Sequence, residues 1–439
     1  MDNNSNESKN TNSENNNNDN NNLEDTCNIF TTKVKSLEKT SPASLNSCRS
    51  LILNRKNYLV ASDNKLIKLN IELPKIEQKI FSKIKGIPSP VRLETSLGRE
   101  AVYQTGLKHE IQSLSLSADG KVIGAIDGIG NVALYQFQDD FSLSSKSIAY
   151  QSTDTFVEIG WAGCCFNPTN SNILAKTQFY NKKIDILDGD QITQSIGLIQ
   201  NPTQISYFNH ERSSSPLLAV TEFNQLKIYD TKQPPSSACI QKFTPSTTWL
   251  YSLGLSTNQQ GYTDLIAVGG AGRTVSVFDT KKWTNCGNWK NCLKYEITSI
   301  QFSSKDSNVC YVGGLDSEVL AGNWDGSSGV DHFTGLRVDS RWLGISKLKD
   351  QELLFGFTGS SSVYWIDSAD KLFQSTNVKR PSPIYTTSSK ENNNNNNKKK
   401  NNKKQPKPTD LESSPKADKV HPLKKMKTSD GQSENTDEI

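Results

Sequence analysis

Four histidines in 439 residues leave this chain poor in the commonest acid–base side chain. His109, His210 and His332 precede residue 380, and none has a serine or cysteine nucleophile motif beside it. Paired carboxylates such as Asp139-Asp140 read as a solvent-facing loop. Nothing in this pattern meets the geometric demand of an acid–base site, so no enzyme is expected. The eight cysteines (Cys27, Cys48, Cys164, Cys165, Cys239, Cys286, Cys292 and Cys310) fit no common metal spacing. Cys286 and Cys292 come nearest, but Cys-x5-Cys without a neighbouring His is not a zinc pattern. No metal and no cofactor is expected, and unpaired thiols point to a reducing, intracellular compartment. Gly269-Gly270-Ala271-Gly272-Arg273 lacks both the Gly-Lys-Ser/Thr and the following helix that a phosphate loop needs, so it reads as a hairpin turn. No apolar run is long enough to span a bilayer, and no secretory apolar stretch follows Met1. Neither a membrane nor a small-molecule substrate is expected as a partner.

Charge is unevenly distributed. Residues 380–439 hold 13 Lys/Arg and 8 Asp/Glu, a balance of +5. The chain totals of 50 and 46 leave 37 and 38, or −1, for everything before them. The basicity therefore belongs to the tail, and the body is not a broad nucleic-acid surface. Residues 1–26 are mostly Asn, Asp, Ser and Glu, while 380–439 are rich in Asn and Lys. Neither segment can offset its ordering entropy by burial, so both are predicted to be disordered. That leaves 27–379 to fold.

What recurs in the remainder is a strand ending of branched apolar, aromatic or apolar, then Asp. Ile184-Asp185-Ile186-Leu187-Asp188, Leu226–Asp230, Val275–Asp279 and Val363–Asp367 carry it, and Trp324-Asp325 falls where a further copy is due. With Asn70 and Gln136 as the equivalents in the first two units, the spacings are 66, 52, 42, 49, 46 and 42 residues. A unit of this length cannot bury its apolar face alone and must stack on neighbours. The second unit is the most regular. His109 leads into Leu114-Ser115-Leu116 and a Ser-Ala-Asp-Gly turn, followed by Val122–Ile126, Asp127-Gly128 and Val132–Tyr135. Alternating apolar residues mark strands, and Asp-Gly supplies turns between them.

This unit resembles a WD40 repeat, and the resemblance extends over about 50–367. It implies an all-β fold, a seven-bladed WD40-like β-propeller with disordered N- and C-terminal tails. The blades are expected at about 50–70, 109–136, 157–188, 203–230, 249–279, 296–325 and 341–367, with an insertion at 71–108. The resemblance assigns structural roles to a buried His109 and to Asp127, Asp188, Asp230, Asp279, Asp325 and Asp367. Only the second unit keeps the family's His and only the sixth a literal Trp-Asp, so most blades must rely on apolar packing. An open ring would expose a sheet edge. Cys27–Val34 is the expected closing strand, with Lys371-Leu372-Phe373 as the alternative. Within the insertion, 73–85 is expected to pack along a blade edge and the rest to be loop.

Trp161, Trp249, Tyr251, Arg341 and Trp342 lie where the family leads into its inner strands, the usual partner-binding face. Trp, Tyr and Arg are also the side chains enriched at binding hot spots. Trp283 and Trp289 read as a second patch in a loop between blades five and six. In the tail, Lys398, Lys399, Lys400, Lys403, Lys404, Lys407, Lys424, Lys425 and Lys427 look like nuclear-import signals, flanked by phosphorylatable Ser382-Pro383 and Ser414-Pro415. The expectation is a non-enzymatic scaffold for protein partners in a nuclear multiprotein complex, with the cytoplasm as the alternative location. Ribosome biogenesis, RNA processing or chromatin are the candidate settings. One alternative is a protein tethered to RNA or other nucleic acid through the lysine tail. Another is a cullin-ligase substrate receptor, because Tyr229-Asp-Thr-Lys232 and Phe278-Asp-Thr-Lys281 approach a Trp-Asp-x-Arg ending.

Overall fold

The computed structural model describes residues 27–37, 48–73, 91–92, 100–138, 142–151, 160–325 and 335–374. All of them belong to the unit Met1–Ser382. The expectations for both tails, the lysine signals, His332 and most of 73–85 fall outside these residues.

Among the described residues seven sheets are strung in chain order, six of four antiparallel strands and one of five. The second strands explain why these segments read as continuous apolar runs. Leu217–Glu222, Val309–Gly314 and Leu353–Thr358 are buried along their whole length, because each is covered on both faces by a neighbouring blade. Leu353, Phe355 and Phe357 pack towards blade one, whereas Leu354 packs towards blade six. Leu217 and Ala219 face blade five, whereas Leu218 and Val220 face blade three. Seven apolar clusters result, one at each junction between blades. The last inner strand, Trp342–Lys347, packs on the first, Ser50–Ile52, so the ring is closed.

Closure uses the segment expected from the sequence. Asn28–Lys33 pairs antiparallel with Ser362–Asp367, from Asn28 opposite Asp367 to Lys33 opposite Ser362. Ile29 and Phe30 from this strand are buried in the clusters on either side of blade seven. The alternative, Lys371–Phe373, lies instead in a short helix, Asp370–Gln374. The supposed insertion is also partly structural. Glu100–Gln104 is the outer strand of blade one, antiparallel to Lys65–Asn70, and Val91–Arg92 adds a parallel fifth strand to blade seven. Trp289 likewise sits in a strand, Thr284–Trp289, which forms the outer edge of blade five; Trp283 immediately precedes it. Outer strands hide from sequence reading because the perimeter buries little. Gln191–Gly197 buries only Ile196, and Thr284–Trp289 has no fully buried position.

In every sheet the inner strand begins, and the second strand ends, at one rim, here named the upper face. On the axis, Gln204 crosses the channel. Its amide donates to Cys48 Sγ at 3.4 Å and its Oε1 accepts from the Leu253 N–H at 2.7 Å. A cavity of about 240 Å³ remains, lined by Ser50, Ser252, Thr298, Ser346 and Lys347 among others.

Candidate functional site

Five inner strands slip register after their first residue, between Ile111/Ser113, Pro202/Gln204, Leu250/Ser252, Ile297/Ser299 and Trp342/Gly344. A bulge adds one unpaired residue and re-aims its side chain. The residues so placed are Gln112, Thr203, Tyr251, Thr298 and Leu343. In blade five, therefore, the bulge presents an aromatic ring at the upper face. Gly270 permits it: a Cβ there would come 2.1 Å from the Trp249 carbonyl oxygen.

Tyr251 meets Trp161, which belongs to the loop before blade three, with ring centroids 5.7 Å apart and planes at 78°. Trp161 also packs on Phe179 at 5.2 Å, and Phe179 stacks on Trp249 at 5.8 Å. Tyr251, Trp161, Phe179 and Trp249 thus form a continuous chain of ring contacts that bridges blades three and five. Phe223 packs edge-on against Trp249 at 4.7 Å, and Tyr180 edge-on against Phe179 at 5.2 Å. Such pairs contribute roughly 0.5–1.5 kcal/mol each beyond area burial.

Backbone bonds stitch the three blades beneath. The Asn201 carbonyl accepts from Phe223 N–H at 3.0 Å, and the Phe223 carbonyl accepts from Leu250 N–H at 2.6 Å. The Asn201 side chain donates to the Phe179 carbonyl at 2.9 Å, and Thr203 Oγ1 donates to the Leu250 carbonyl at 2.6 Å. Gly160, at φ +74°, lets the Tyr180 ring lie against the chain just before Trp161; a Cβ would stand 2.9 Å from that ring.

The platform is only partly covered. Trp161, Phe179, Phe223 and Trp249 are half-buried, while Tyr180 is 61 % and Ile199 74 % exposed. The loop that carries Ile199 is tied to the turn that carries Tyr180, since Leu198 N–H donates to the Lys182 carbonyl and the Asn201 side chain to that of Phe179. Burial, and then the Glu296 carboxylate, push the Tyr251 hydroxyl above its ordinary pKa. The surrounding loops carry Lys182, Lys183 and Arg273, with Lys290 and Lys294 towards blade six. Lys183 lies 3.4 Å from Asp185, and Arg273 donates to the Lys294 carbonyl and Asn291. Among the described residues, the upper loops of blades three to five contain no carboxylate.

Trp161, Trp249 and Tyr251 are thus brought together as one cluster; Arg341 and Trp342 are not part of it. Trp342 is 3 % exposed and packs on Tyr364 at 5.5 Å. It occupies the inward-facing register of Leu250 and Ile297, one residue before the bulge, and so belongs to the core. Arg341 is half-buried near Arg49, and burial followed by that neighbouring charge lowers its pKa. His109 is exposed, contrary to its expected core position. The reason is that Asp127 is satisfied by its own turn: it accepts from Ile129 N–H at 3.1 Å, Asn131 N–H at 2.9 Å and Asn131 Nδ2 at 2.9 Å. Burial nevertheless raises the Asp127 pKa against those hydrogen bonds.

The strand-end aspartates mostly cap turns. Asp230 accepts from Lys232 N–H and Asp279 from Lys281 and Lys282 N–H, while Asp367 accepts from Arg55 at 2.8 Å. Asp188 and Asp325 are exposed. Trp283 lies against buried His210 at 5.1 Å, and Trp289 packs into the junction of blades five and six. Cys286 is exposed, whereas the buried Cys292 donates to the Arg273 carbonyl. No group of three or more metal-ligating side chains occurs among the described residues.

Phe179, Tyr180, Ile199 and Phe223 were not singled out by sequence. Phe179-Tyr180-Asn181 and Phe223-Asn224 carry one local signal: aromatic residues at short turns between apolar strands, where burial is not available.

No family model and no curated protein matches the chain. Solved structures do share the fold. One chain of the crystal structure of the mitotic checkpoint complex aligns with a TM-score of 0.55 at 13 % identity, covering 77 % of this chain and 90 % of that one. At that identity the likeness establishes the propeller fold alone.

Proposed function

We propose that this protein is a non-catalytic, WD40-like interaction scaffold that binds protein partners on its upper face over blades three to five. The observation that carries the reading is the chain of ring contacts from Tyr251 through Trp161 and Phe179 to Trp249, which continues to exposed Tyr180, with exposed Ile199 on the following upper loop. Clustered aromatic residues of this kind, rigid and partly desolvated, are what interface hot spots are made of. The lysine-rich tail supports a nuclear setting and leaves open a secondary RNA tether. The cullin-receptor reading draws less support. Tyr229 and Phe278 are buried core rings, and Lys281 is within 3.4 Å of both Glu211 and Asp264.

Affinity purification with quantitative mass spectrometry tests the scaffold reading. Partners recovered with wild type should be depleted with Trp161→Ala/Trp249→Ala and retained with Tyr262→Ala on the lower face. An unchanged partner list in the double variant would overturn the placement. A reporter fused to residues 380–439 should concentrate in the nucleus; an even distribution would refute that part.

A further inference from the structure

Aromatic rings alone do not specify a ligand, because their faces attract cations and their bodies accept apolar groups. Here the rim decides. Lys182 follows Tyr180 in the same turn, and Arg273 lies in the blade-five turn whose Ala271 N–H donates to the Trp249 carbonyl at 2.8 Å. Lys183 is offset by Asp185 at 3.4 Å, so Lys182 and Arg273 supply the positive charge of the rim, and no described carboxylate in the loops of blades three to five balances them. Glu296, beside Tyr251, stands on the blade-six side. A cationic side chain approaching Tyr180 would meet this rim unfavourably. The remaining upper face is unlike this sector: Asp63, Glu110, Asp316 and Asp339 lie there among Arg49, Lys108 and Arg341.

We infer that the sector binds an acidic peptide segment that carries an aromatic or aliphatic anchor, a conclusion that rests on the upper-face reading above. The anchor lies against Tyr180 and Ile199, and flanking carboxylates face Lys182 and Arg273. A single-stranded nucleic acid fits less well. Base stacking needs successive open ring faces and a continuous cationic track. Here the inner rings pack on one another at 4.7–5.8 Å, and of the two exposed apolar side chains one is Ile199, which does not stack.

The test uses the full-length chain. A random displayed dodecapeptide library is panned against it in low salt. Selected peptides are then synthesised and titrated by fluorescence anisotropy against wild type, Tyr180→Ala, Lys182→Glu, Trp249→Ala and Tyr262→Ala. Melting curves verify that each variant is folded. The expected peptides are net negative with Trp, Phe or Leu. Their affinity should fall roughly tenfold with Tyr180→Ala. It should also fall with Lys182→Glu and with added salt, and stay unchanged with Tyr262→Ala. Neutral or basic peptides that still depend on Tyr180 and Trp249 would sink the acidic inference and leave the upper-face reading standing. Peptides indifferent to both residues, or no enrichment at all, would count against both. Tighter binding of a thymidine 20-mer than of the best peptide would overturn the choice of ligand class.

Discussion

On the lower face, Asn54, Asp119, Asn167, Asn258 and Ser303 each accept backbone N–H groups from their own turns. Over blades three to five the upper face has instead Trp161, Phe179, Tyr180, Phe223 and Trp249, with Ser246 capping one turn. Both sets of loops join the same kind of strands, so the difference is not imposed by the fold. The lower turns are complete in themselves, and a partner would gain little by covering them. The upper turns leave apolar area exposed, which remains unfavourable until something buries it.

The comparison breaks most visibly at Glu352. Its Oε1 accepts from Ser303 Oγ, Ser304 N–H, Ser304 Oγ and Lys305 N–H, and its Oε2 from Tyr311, so one carboxylate ties the lower turn of blade six to blade seven. Glu352→Ala should cost about 3–5 kcal/mol in chemical denaturation, as for other broken buried charge networks. Affinity at the upper face should be unchanged in the folded fraction. Burial raises the Glu352 pKa, but Tyr311, Lys347 and Ser304 outweigh it and hold the group below its usual 4.5. Its stabilisation is therefore complete above the unfolded value and lost as pH falls through the lower folded one. Glu352→Gln should have a shallower acid limb than wild type in a stability–pH profile.

Lys176 sharpens the contrast from inside the ring. It is buried, donates to the Gly130 carbonyl at 2.9 Å and lies 3.7 Å from the Tyr150 ring centroid. Burial lowers its pKa from 10.5 to about 8, against the attraction of Asp185. Between those values the unfolded chain binds more protons, so this group makes stability rise with pH. Lys176→Met should remove that rise, and at pH 7 it should cost less than Glu352→Ala because Asp185 keeps Lys183, Gln178 and Ser195 as partners; a steeper alkaline gain in the variant would contradict the assignment. The smallest effect on the fold belongs to the most functional residue. Tyr180→Ala should cost no more than about 1.5 kcal/mol, the loss of its edge-on contact with Phe179 at an otherwise exposed position. A melting shift much larger than that would show Tyr180 to be structural.

Blade cores were legible because strands covered on both faces must be apolar throughout, as Leu217–Val220 and Leu353–Phe357 are. Closure was legible for a related reason: Ile29 and Phe30 form an isolated apolar pair after a polar stretch. Glu100–Gln104 and Thr284–Trp289 were not, since strands on the perimeter resemble polar loops in composition. At the site, Trp161, Trp249 and Tyr251 were found from their position before or within the inner strands, yet Trp342 read the same way and is core. The distinction depends on the bulge, which turns the buried Tyr251 ring against Trp161 at the upper face and leaves its predecessor facing the blade junction. Hydrophobic pattern does not encode a one-residue register shift. His109 misled for the opposite reason, because Asn131 supplies the turn-closing bonds that the repeat pattern assigns to histidine.

Site-specific photo-crosslinking tests the asymmetry of the faces most directly. A benzoylphenylalanine placed at Tyr180 in one sample and at Tyr262 in another, in otherwise native full-length protein, reports which face touches a partner in cells. The account predicts a discrete crosslinked protein species from position 180 and none above background from position 262. The same species from both positions, or from 262 alone, would contradict it.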